Sequence, residues 1–167
     1  GDFYYTPPSG YLALCTANLP EPTVVPSEHF TTVLDTGANI KTTAEGQFTY
    51  FLEWIKDRAN SNNHQLADTV RGTSAILQSN TTAIETTYTA PTGSSVAWVW
   101  NASQTAVSNT DGTITSQVSA NVDAGFSIVN WEGTGVAGTL GTGLNQPVEL
   151  VIPKNRETTG RWRTYDA

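Results

Sequence analysis

The stretch Thr113-Ile114-Thr115-Ser116-Gln117-Val118-Ser119-Ala120-Asn121-Val122 decides the fold class. Apolar side chains at Ile114, Val118, Ala120 and Val122 alternate in it with polar ones. Successive side chains of a strand point to opposite faces of its sheet, so this period of two predicts a β-strand with one buried and one solvated face. We therefore expect a β-protein.

The segments around this strand support the same class. Before it, Asn109-Thr110-Asp111-Gly112 predicts a hairpin turn, because Asp-Gly tolerates the positive φ of a tight turn. Residues 67–85 have spacing compatible with a helix, which their Ser and Asn side chains weaken. We expect an all-β fold, an antiparallel β-sandwich of jelly-roll or concanavalin-like type, with at most one short helix. Further strands are predicted at residues 31–34, 47–56, 96–101, 126–132 and 148–153.

The charge balance argues against several partners. The 167 residues carry a formal net charge of -7 with scattered Lys and Arg, so we expect no nucleic-acid partner. No run approaches the roughly 18 consecutive apolar residues of a membrane span, so we expect no membrane insertion. Cys15 is the single cysteine, and neither His29 nor His64 has ligand spacing with another candidate residue. We expect no metal and no cofactor.

An internal repeat predicts the domain organisation. A period of roughly one hundred residues is too long for a solenoid unit and indicates tandem copies of one domain. We expect an extended arm and linker at residues 1–27, a first β-rich repeat at 28–122 and the start of a second, truncated repeat at 123–167. On this interpretation the chain is a piece of a longer polypeptide. The parallel segments run from Phe30-Thr31-Thr32-Val33 to Lys56-Asp57-Arg58 and from Phe126-Ser127-Ile128-Val129 to Lys154-Asn155-Arg156, and Asp68 parallels Asp166.

Several signatures resemble an uncharacterised β-rich repeat in virion proteins of tailed bacteriophages, many of them marine. They are Glu53-Trp54-Ile55-Lys56-Asp57-Arg58, Asp68-Thr69-Val70-Arg71-Gly72, Ser79-Asn80-Thr81-Thr82-Ala83-Ile84-Glu85, Val96-Ala97-Trp98-Val99-Trp100 and Asn109-Thr110-Asp111-Gly112-Thr113-Ile114. The resemblance covers nearly the whole chain. It implies a virion localisation and carries over no catalytic residue.

In those phage proteins the repeat often follows a SPRY-like β-sandwich. Residues 3–20, which begin Phe3-Tyr4-Tyr5, resemble the final strand of that sandwich. The resemblance therefore implies that the N-terminal arm is the end of an upstream domain. One departure from the family is the short stretch between Glu85 and Val96, where the family has additional strands.

Two acidic patterns offer enzymatic alternatives. Asp35-Thr36-Gly37 matches the signature of aspartic peptidases, in which two aspartates share a proton. The equivalent point of the repeat is Trp131-Glu132-Gly133, which supplies no second aspartate, so we interpret Asp35 as a turn residue at a strand end. Paired carboxylates for glycoside hydrolysis would come from different strands, with Glu53 and Asp57 on one strand face and Glu132 and Glu149 on others as the acids considered. We interpret most of the acidic residues as surface charge.

Tryptophan and arginine side chains are the candidate contact residues. Aromatic rings stack on sugars and are favoured at interfaces, and Arg can stack or pair with acidic groups. Trp98 and Trp100 share a strand face with Val96, which favours core packing, and His64 in a polar loop is interpreted as solvated. The candidates for a glycan or protein contact are Trp131, Trp162, Arg161 and Arg163.

These features together favour a binding or structural module over an enzyme. We expect a bacteriophage structural protein, a tail fibre, spike or capsid decoration, that contributes host attachment or assembly. Its expected partners are other virion proteins and a host surface glycan, and we expect a homo-oligomer. The alternatives are a carbohydrate-binding or glycan-degrading module and, less favoured, an aspartic peptidase acting through Asp35-Thr36-Gly37.

Overall fold

The computed structural model describes residues 8–10 and 24–166. All described strand pairs are antiparallel, and the two helices are short, which confirms the predicted all-β class. Both helices lie in the first third of the chain. The elements are α1 (Pro26–His29), β1 (Phe30–Thr36), α2 (Asn39–Glu45), β2 (Phe51–Asp57), β3 (Gln65–Asp68), β4 (Ala75–Ile76), β5 (Thr86–Thr87), β6 (Ser94–Asn101), β7 (Val107–Asn109), β8 (Ser116–Asn121), β9 (Phe126–Trp131), β10 (Leu150–Val151) and β11 (Tyr165–Asp166).

The largest sheet has the strand order β1-β6-β2-β3. Strand β6 lies inside it and pairs with β1 from Phe30↔Trp100 to Thr36↔Ser94, and with β2 from Phe51↔Asn101 to Asp57↔Ser95. Its Val-Ala-Trp-Val-Trp sequence consists largely of β-branched and aromatic residues, which suit a strand with neighbours on both edges. The connection from β2 to β6 is therefore non-local, since β3, β4 and β5 intervene in the chain.

Helix α2 covers one face of this sheet and completes the core. Ile40 and Ala44, four residues apart, lie on the same side of the helix, and both are 0% exposed. Each large apolar side chain buried in this way contributes roughly 1.5–3 kcal/mol. The sheet residues in the same core cluster are Val33, Phe51, Ile55, Ala97 and Val99.

The three-stranded sheet has the order β7-β8-β9 and corrects the expectation for residues 113–122. The strand covers Ser116–Asn121, and Val122, predicted to be buried, lies in the following turn with 45% exposure. Ser119 and Asn121, predicted to be solvated, are buried. The reason is packing against the segment after β6: the Ser119 hydroxyl donates to the carbonyl of Ala102 (3.3 Å), and Asn121 Nδ2 donates to the carbonyl of Asn101 (3.0 Å).

The turn that precedes β8 is present, but Gly112 is needed there because a side chain would not fit, and not because of a positive φ. Gly112 does not have a positive φ. A Cβ at Gly112 would lie 2.2 Å from the carbonyl oxygen of Thr139, so the loop around residue 139 passes too close for any side chain. Asn109 Oδ1 accepts from the backbone N–H of Asp111 (3.1 Å), which closes the turn.

The other differences from the sequence prediction concern helices and short strands. At most one short helix was expected, and two are present, neither of them within residues 67–85. Those residues instead contain the end of β3 and the short strand β4. Of the predicted arm, the structure describes residues 8–10 and 24–27, and the rest of it lies outside the described residues. Neither described helix has the length and apolar composition needed to cross a bilayer.

Candidate functional site

The end of strand β9 presents an aromatic side chain to an open cleft. Trp131, the last residue of β9, is 38% exposed. The cleft has a volume of about 380 Å³ and combines this indole with hydroxyl, amide, carboxylate and guanidinium groups. Such a set suits a ligand ring that has an apolar face and several hydroxyl groups. The apolar face stacks on the indole, and the polar side chains of the cleft bind the hydroxyl groups. The other residues that line the cleft are Thr115, Ser116, Gln117, Asn130, Glu132, Arg156 and Glu157.

The guanidinium of this cleft is held in place by an ion pair. Arg156 donates through Nη2 (2.6 Å) and Nε (3.0 Å) to the two oxygens of Glu85, and through Nη1 to Asn130 Oδ1 (2.8 Å). The hydrogen bond to Glu85 raises the pKa of Arg156, so the group stays charged. A bidentate pair of this kind fixes the plane of the guanidinium. The cleft therefore has a positive group whose orientation is fixed by Glu85 and Asn130.

Glu85 also joins a buried network in the first part of the chain. Arg71, with a side chain only 7% exposed, donates to Glu85 Oε1 (2.6 Å) and to Asp68 Oδ2 (2.6 Å). Burial by itself would raise the pKa of Glu85, but hydrogen bonds from Arg156 and Arg71 lower it below its ordinary value. Glu85 is thus ionised at neutral pH and connects the segment after β10 to the segment between β4 and β5.

Trp162 lies elsewhere and serves a packing role. Its Nε1 donates to the carbonyl of Gln78 (2.8 Å), and the indole is half-buried. The flanking Arg161 and Arg163 are exposed. None of these three residues lines the Trp131 cleft. The structure therefore does not bring the four predicted contact residues together in this cleft, which of the four only Trp131 lines.

The tryptophans of β6 lie opposite the core. Trp98 and Trp100 share the face that points away from α2, where they are half-buried. Trp54 meets Trp98 edge to face at 6.1 Å between ring centroids, and Phe126 stacks on Trp100 at 6.5 Å. The predicted packing is present, but it forms a second aromatic cluster and not the α2 core. His64, expected to be solvated, is half-buried and accepts from Trp54 Nε1 (2.8 Å), while burial lowers its pKa.

Of the acids considered for glycoside hydrolysis, Glu132 and Glu149 are exposed, whereas Glu53 and Asp57 are buried and internally bonded, which corrects the interpretation of these two as surface charge. Glu53 is 0% exposed and Asp57 is 3% exposed. Asp57 accepts from the backbone N–H groups of Ala59 (2.9 Å) and Asn60 (3.0 Å) and from the amide of Asn62 (2.8 Å). The Asn60 amide is the largest of the hydrogen-bond contributions that lower the pKa of Asp57. Asp57 therefore organises the turn after β2.

Glu53 is an acid whose burial the sequence analysis did not predict. Lys41 of α2 contacts one of its oxygens and also pairs with Glu45 (3.1 Å), while Glu53 Oε2 and the Tyr88 hydroxyl are buried without a hydrogen-bond partner among the described residues. Burial raises the pKa of Glu53 to about 7 even though Lys41 opposes this. The available signal was the position of Glu53 between Phe51 and Ile55 on the strand face that is buried.

Asp35 lies near the end of β1, as interpreted from the sequence. Its Oδ2 accepts from the Thr43 hydroxyl (2.7 Å) and its Oδ1 from the backbone N–H of Thr36 (2.7 Å), and these two bonds lower its pKa. Asp35 therefore attaches α2 to β1 through the Thr43 hydroxyl.

Within residues 8–10 and 24–166, no group of three or more His, Cys, Asp or Glu side chains is arranged to hold a metal ion.

Part of the first sheet recurs near the C-terminus. The β10–β11 ladder has the register of the β2–β3 ladder, each residue standing 98 positions later. Such a recurrence of register is independent of the sequence comparison that predicted a repeat. The paired residues are Leu52↔Asp68 and Glu53↔Ala67 in the first ladder, and Leu150↔Asp166 and Val151↔Tyr165 in the second.

The turn after each of these strands recurs as well. An Asx side chain accepts from the backbone N–H groups two and three residues later, and the preceding lysine donates to the carbonyl of that Asx residue. This arrangement stabilises a turn locally, without tertiary contacts. The Asx residues are Asp57 (N–H of Ala59 and Asn60) and Asn155 (N–H of Glu157, 2.9 Å, and Thr158, 2.8 Å), with Lys56 (2.7 Å) and Lys154 (2.8 Å) before them. The division at residues 28–122 and 123–167 stays a prediction.

Comparison with known proteins gives one family. The family described as "Domain of unknown function (DUF7483)" matches residues 25–93 and 90–167. The two matched segments cover most of the chain, including the Trp131 cleft and both recurring ladders. No curated protein and no solved structure matches the chain.

Proposed function

The chain belongs to the DUF7483 family, and from that premise we propose that it is a non-enzymatic structural protein of a bacteriophage particle. It acts as part of a tail fibre, a spike or a head-surface decoration and contributes adhesion or assembly. The observation that carries the proposal is the recurrence of one ladder and turn 98 residues apart, which fits a chain of tandem β-domains such as the phage virion repeats that the sequence resembles. The resemblance of the signature residues to phage virion repeats supports it.

The proposed partners follow from this role. The chain contacts other virion proteins and forms a homo-oligomer on the particle surface. Its net charge of -7 and its polar, Thr-rich and Asn-rich composition suit a surface that meets neutral partners. Purified particles from a host culture, labelled with gold-conjugated antibody against residues 24–166, test the localisation. Label on tails or heads is the expected result, and protein found only in the host cell fraction would overturn the proposal.

A second candidate function rests on the Trp131 cleft. An exposed indole beside Gln117, Asn130 and Glu132 suits a host surface glycan, so the adhesion partner is a saccharide on this view. Glycan-array screening followed by calorimetry on the best ligand tests it. We expect Trp131→Ala to weaken binding by about fivefold or more, because a central aromatic contact is worth upwards of about 1 kcal/mol.

The matched control is Val136→Ala, a change at a 75% exposed position that does not line the cleft. This variant should bind as the parent does. Glycan binding that is unchanged in Trp131→Ala would exclude the cleft, and the absence of any glycan ligand would leave adhesion to protein contacts alone.

A further inference from the structure

A second cleft lies beside the turn that follows β2. It has a volume of about 390 Å³, which is enough for a small ligand. All of its lining residues fall between Asp57 and Thr92, so the first matched segment, residues 25–93, contains the whole cleft. We call it the Gln78 cleft. Its polar lining includes Asn62, Gln65, Gln78, Thr86, Thr87 and Thr89.

Neutral side chains form most of the Gln78 cleft. Among the described residues that line it, none is Lys or Arg. Its one acid, Asp57, is 3% exposed and accepts from the side-chain amides of Asn60 (3.0 Å) and Asn62 (2.8 Å) as well as from backbone N–H groups. An anionic ligand would find no cation in the cleft, and the acid already has hydrogen bonds within its own turn. The cleft therefore favours an uncharged ligand.

The amide of Gln78 is held in one orientation. Its Oε1 accepts from Asn63 Nδ2 (3.1 Å) and from the Thr81 hydroxyl (3.1 Å). Because the amide oxygen takes both of these donors, Nε2 keeps its two N–H donors, which have no acceptor among the described residues. Thr86 and Thr87 of β5 add two hydroxyls that make no hydrogen bond within the described part of the chain. The cleft thus offers oriented amide donors and hydroxyl groups to a ligand.

The backbone of Thr89, beside these groups, is not available to a peptide strand. Strand addition needs unpaired N–H and carbonyl groups. At Thr89 the N–H donates to Gln65 Oε1 (3.0 Å) and the carbonyl accepts from Gln65 Nε2 (2.7 Å). Recognition is consequently left to side chains, to which Ile76 and Pro91 add apolar carbon. A saccharide matches this set, because its ring carries hydroxyl groups around apolar C–H faces.

We propose that the Gln78 cleft binds an uncharged saccharide. Gln78 Nε2 donates to oxygen atoms of the sugar, and the hydroxyls of Thr86 and Thr87 exchange hydrogen bonds with its hydroxyl groups. This inference goes beyond the proposed function. It concerns a different site, since none of the described residues that line the Gln78 cleft lines the Trp131 cleft.

The probe is an array of oligosaccharides that contains uncharged members and members with uronic or sialic acid. We expect the whole chain to bind uncharged members and not acidic ones. The strongest uncharged ligand is then titrated into the ¹⁵N-labelled chain, and the side-chain NH₂ signals are followed by nuclear magnetic resonance. The Gln78 NH₂ signals should shift saturably, because both of their protons face the ligand.

Gln78→Met removes the amide, keeps the length of the side chain and should weaken binding by about fivefold or more. The matched control is Gln104→Met, at an exposed position that does not line the cleft, and it should bind as the parent does. Thr87→Val removes one exposed hydroxyl and should weaken binding by about twofold or more, whereas Thr87→Ser keeps the hydroxyl and the affinity. This second pair decides the question if Gln78→Met disturbs the contacts of Asn63 and Thr81.

The proposal is overturned if no uncharged saccharide binds, if acidic members bind equally well, or if Gln78→Met and Thr87→Val both bind as their controls do. Trp131→Ala should leave the Gln78 shifts unchanged, so that failure of the Trp131 cleft and failure of the Gln78 cleft are distinguishable. Ligand-induced shifts confined to the Trp131 indole N–H and its neighbours would place the saccharide in the other cleft and overturn the proposal as well.

Discussion

Strand β2 pairs with β3 in the same register in which β10 pairs with β11, but the side chains of β2 and β10 differ in burial. Glu53 of β2 is fully buried, whereas Val151, its counterpart 98 residues later, is 41% exposed. An apolar side chain would be expected at the buried position and an acid at the exposed one. Here the acid is buried and the valine is exposed. The comparison shows that a ladder and its turn are encoded locally, while burial depends on which strands and helices are added around them.

The difference follows from two added elements. Around β2, strand β6 pairs along the whole strand and α2 provides Lys41 for Glu53. Strand β10 pairs with β11, and in the segment after β10 Arg156 pairs with Glu85. We call the β2–β3 ladder with its turn the first unit and the β10–β11 ladder with its turn the second unit. The first unit is stabilised by the α2 core, and the second by polar contacts with Glu85. Variants at corresponding places should therefore have unequal effects.

The largest difference is expected for isoleucine truncation. Ile55→Ala removes a side chain that is 2% exposed in the α2 core and should lower the free energy of unfolding by about 3 kcal/mol. Ile152→Ala, at 54% exposure, should change it by less than about 0.5 kcal/mol. Urea titrations of both variants measure this. Equal losses would mean that the second unit has a core of its own.

The pH dependence of stability tests the buried acid. Burial raises the pKa of Glu53 to about 7, above its ordinary value of 4.5, so the folded chain binds a proton more tightly than the unfolded chain. The stability that Glu53 contributes is complete below the unfolded pKa and is lost as the pH rises to about 7, a loss of up to about 3 kcal/mol. Thermal unfolding of the parent and of Glu53→Gln, at about pH 5 and about pH 7.5, isolates this contribution.

The parent should lose more stability than Glu53→Gln between these two pH values. His64, whose pKa is lowered, changes stability in the opposite direction in both proteins and cancels in the difference. Val151→Glu places an acid at the exposed counterpart and should add no such pH dependence. Parallel pH curves for the parent and Glu53→Gln would show that Glu53 stays ionised with Lys41 throughout.

The two Asx turns should differ by a smaller amount. Asp57→Ala removes a buried carboxylate that accepts from two backbone N–H groups and two side-chain amides, and should cost about 2 kcal/mol. Asn155→Ala, at an exposed position, removes two backbone contacts and should cost about 0.5–1 kcal/mol. Chemical denaturation compares the two. A larger loss of stability for Asn155→Ala than for Asp57→Ala would contradict the view that burial determines the size of the loss.

The smallest difference is expected for the arginines that follow the two strands. Arg156→Ala removes a partly exposed ion pair with Glu85 and should cost about 1 kcal/mol. Arg58→Ala, an exposed side chain whose contact to Ser94 runs through the backbone, should cost less than about 0.5 kcal/mol. A double variant, Arg156→Ala with Glu85→Ala, completes the cycle. A coupling energy near zero between Arg156 and Glu85 would mean that this ion pair does not stabilise the β10–β11 ladder.

The sequence predicted those features that local patterns encode. The strands around β1, β2, β6, β8 and β9 follow from runs of β-branched and aromatic residues, and the hairpin before β8 follows from its Asn and Asp residues. Helix α2 was missed because Asn39-Ile40-Lys41-Thr42-Thr43-Ala44-Glu45 is too short for a periodic signal and contains three β-branched residues. It forms because Ile40 and Ala44 are buried by the sheet.

The candidate site could be anticipated only in part. Trp131 was named as an aromatic contact residue; the structure shows it exposed and lining a cleft, and its role in binding stays a prediction. Arg156 was not named, since its position depends on Glu85, 71 residues earlier in the chain. Trp162 was named for its arginine neighbours, but its indole N–H is used by Gln78. Non-local contacts of this kind leave no pattern in the neighbouring residues.

The most direct test of the central claim is amide hydrogen exchange resolved by residue. The claim is that β2 is paired along both edges, whereas β10 is paired along one edge only within residues 24–166. The account predicts that Leu52 and Trp54, whose N–H groups face β6, exchange only through global unfolding, whereas Leu150 and Ile152 exchange about as fast as an open chain. Equal, strong protection at both pairs would show that the edge of β10 is already occupied and would contradict the account.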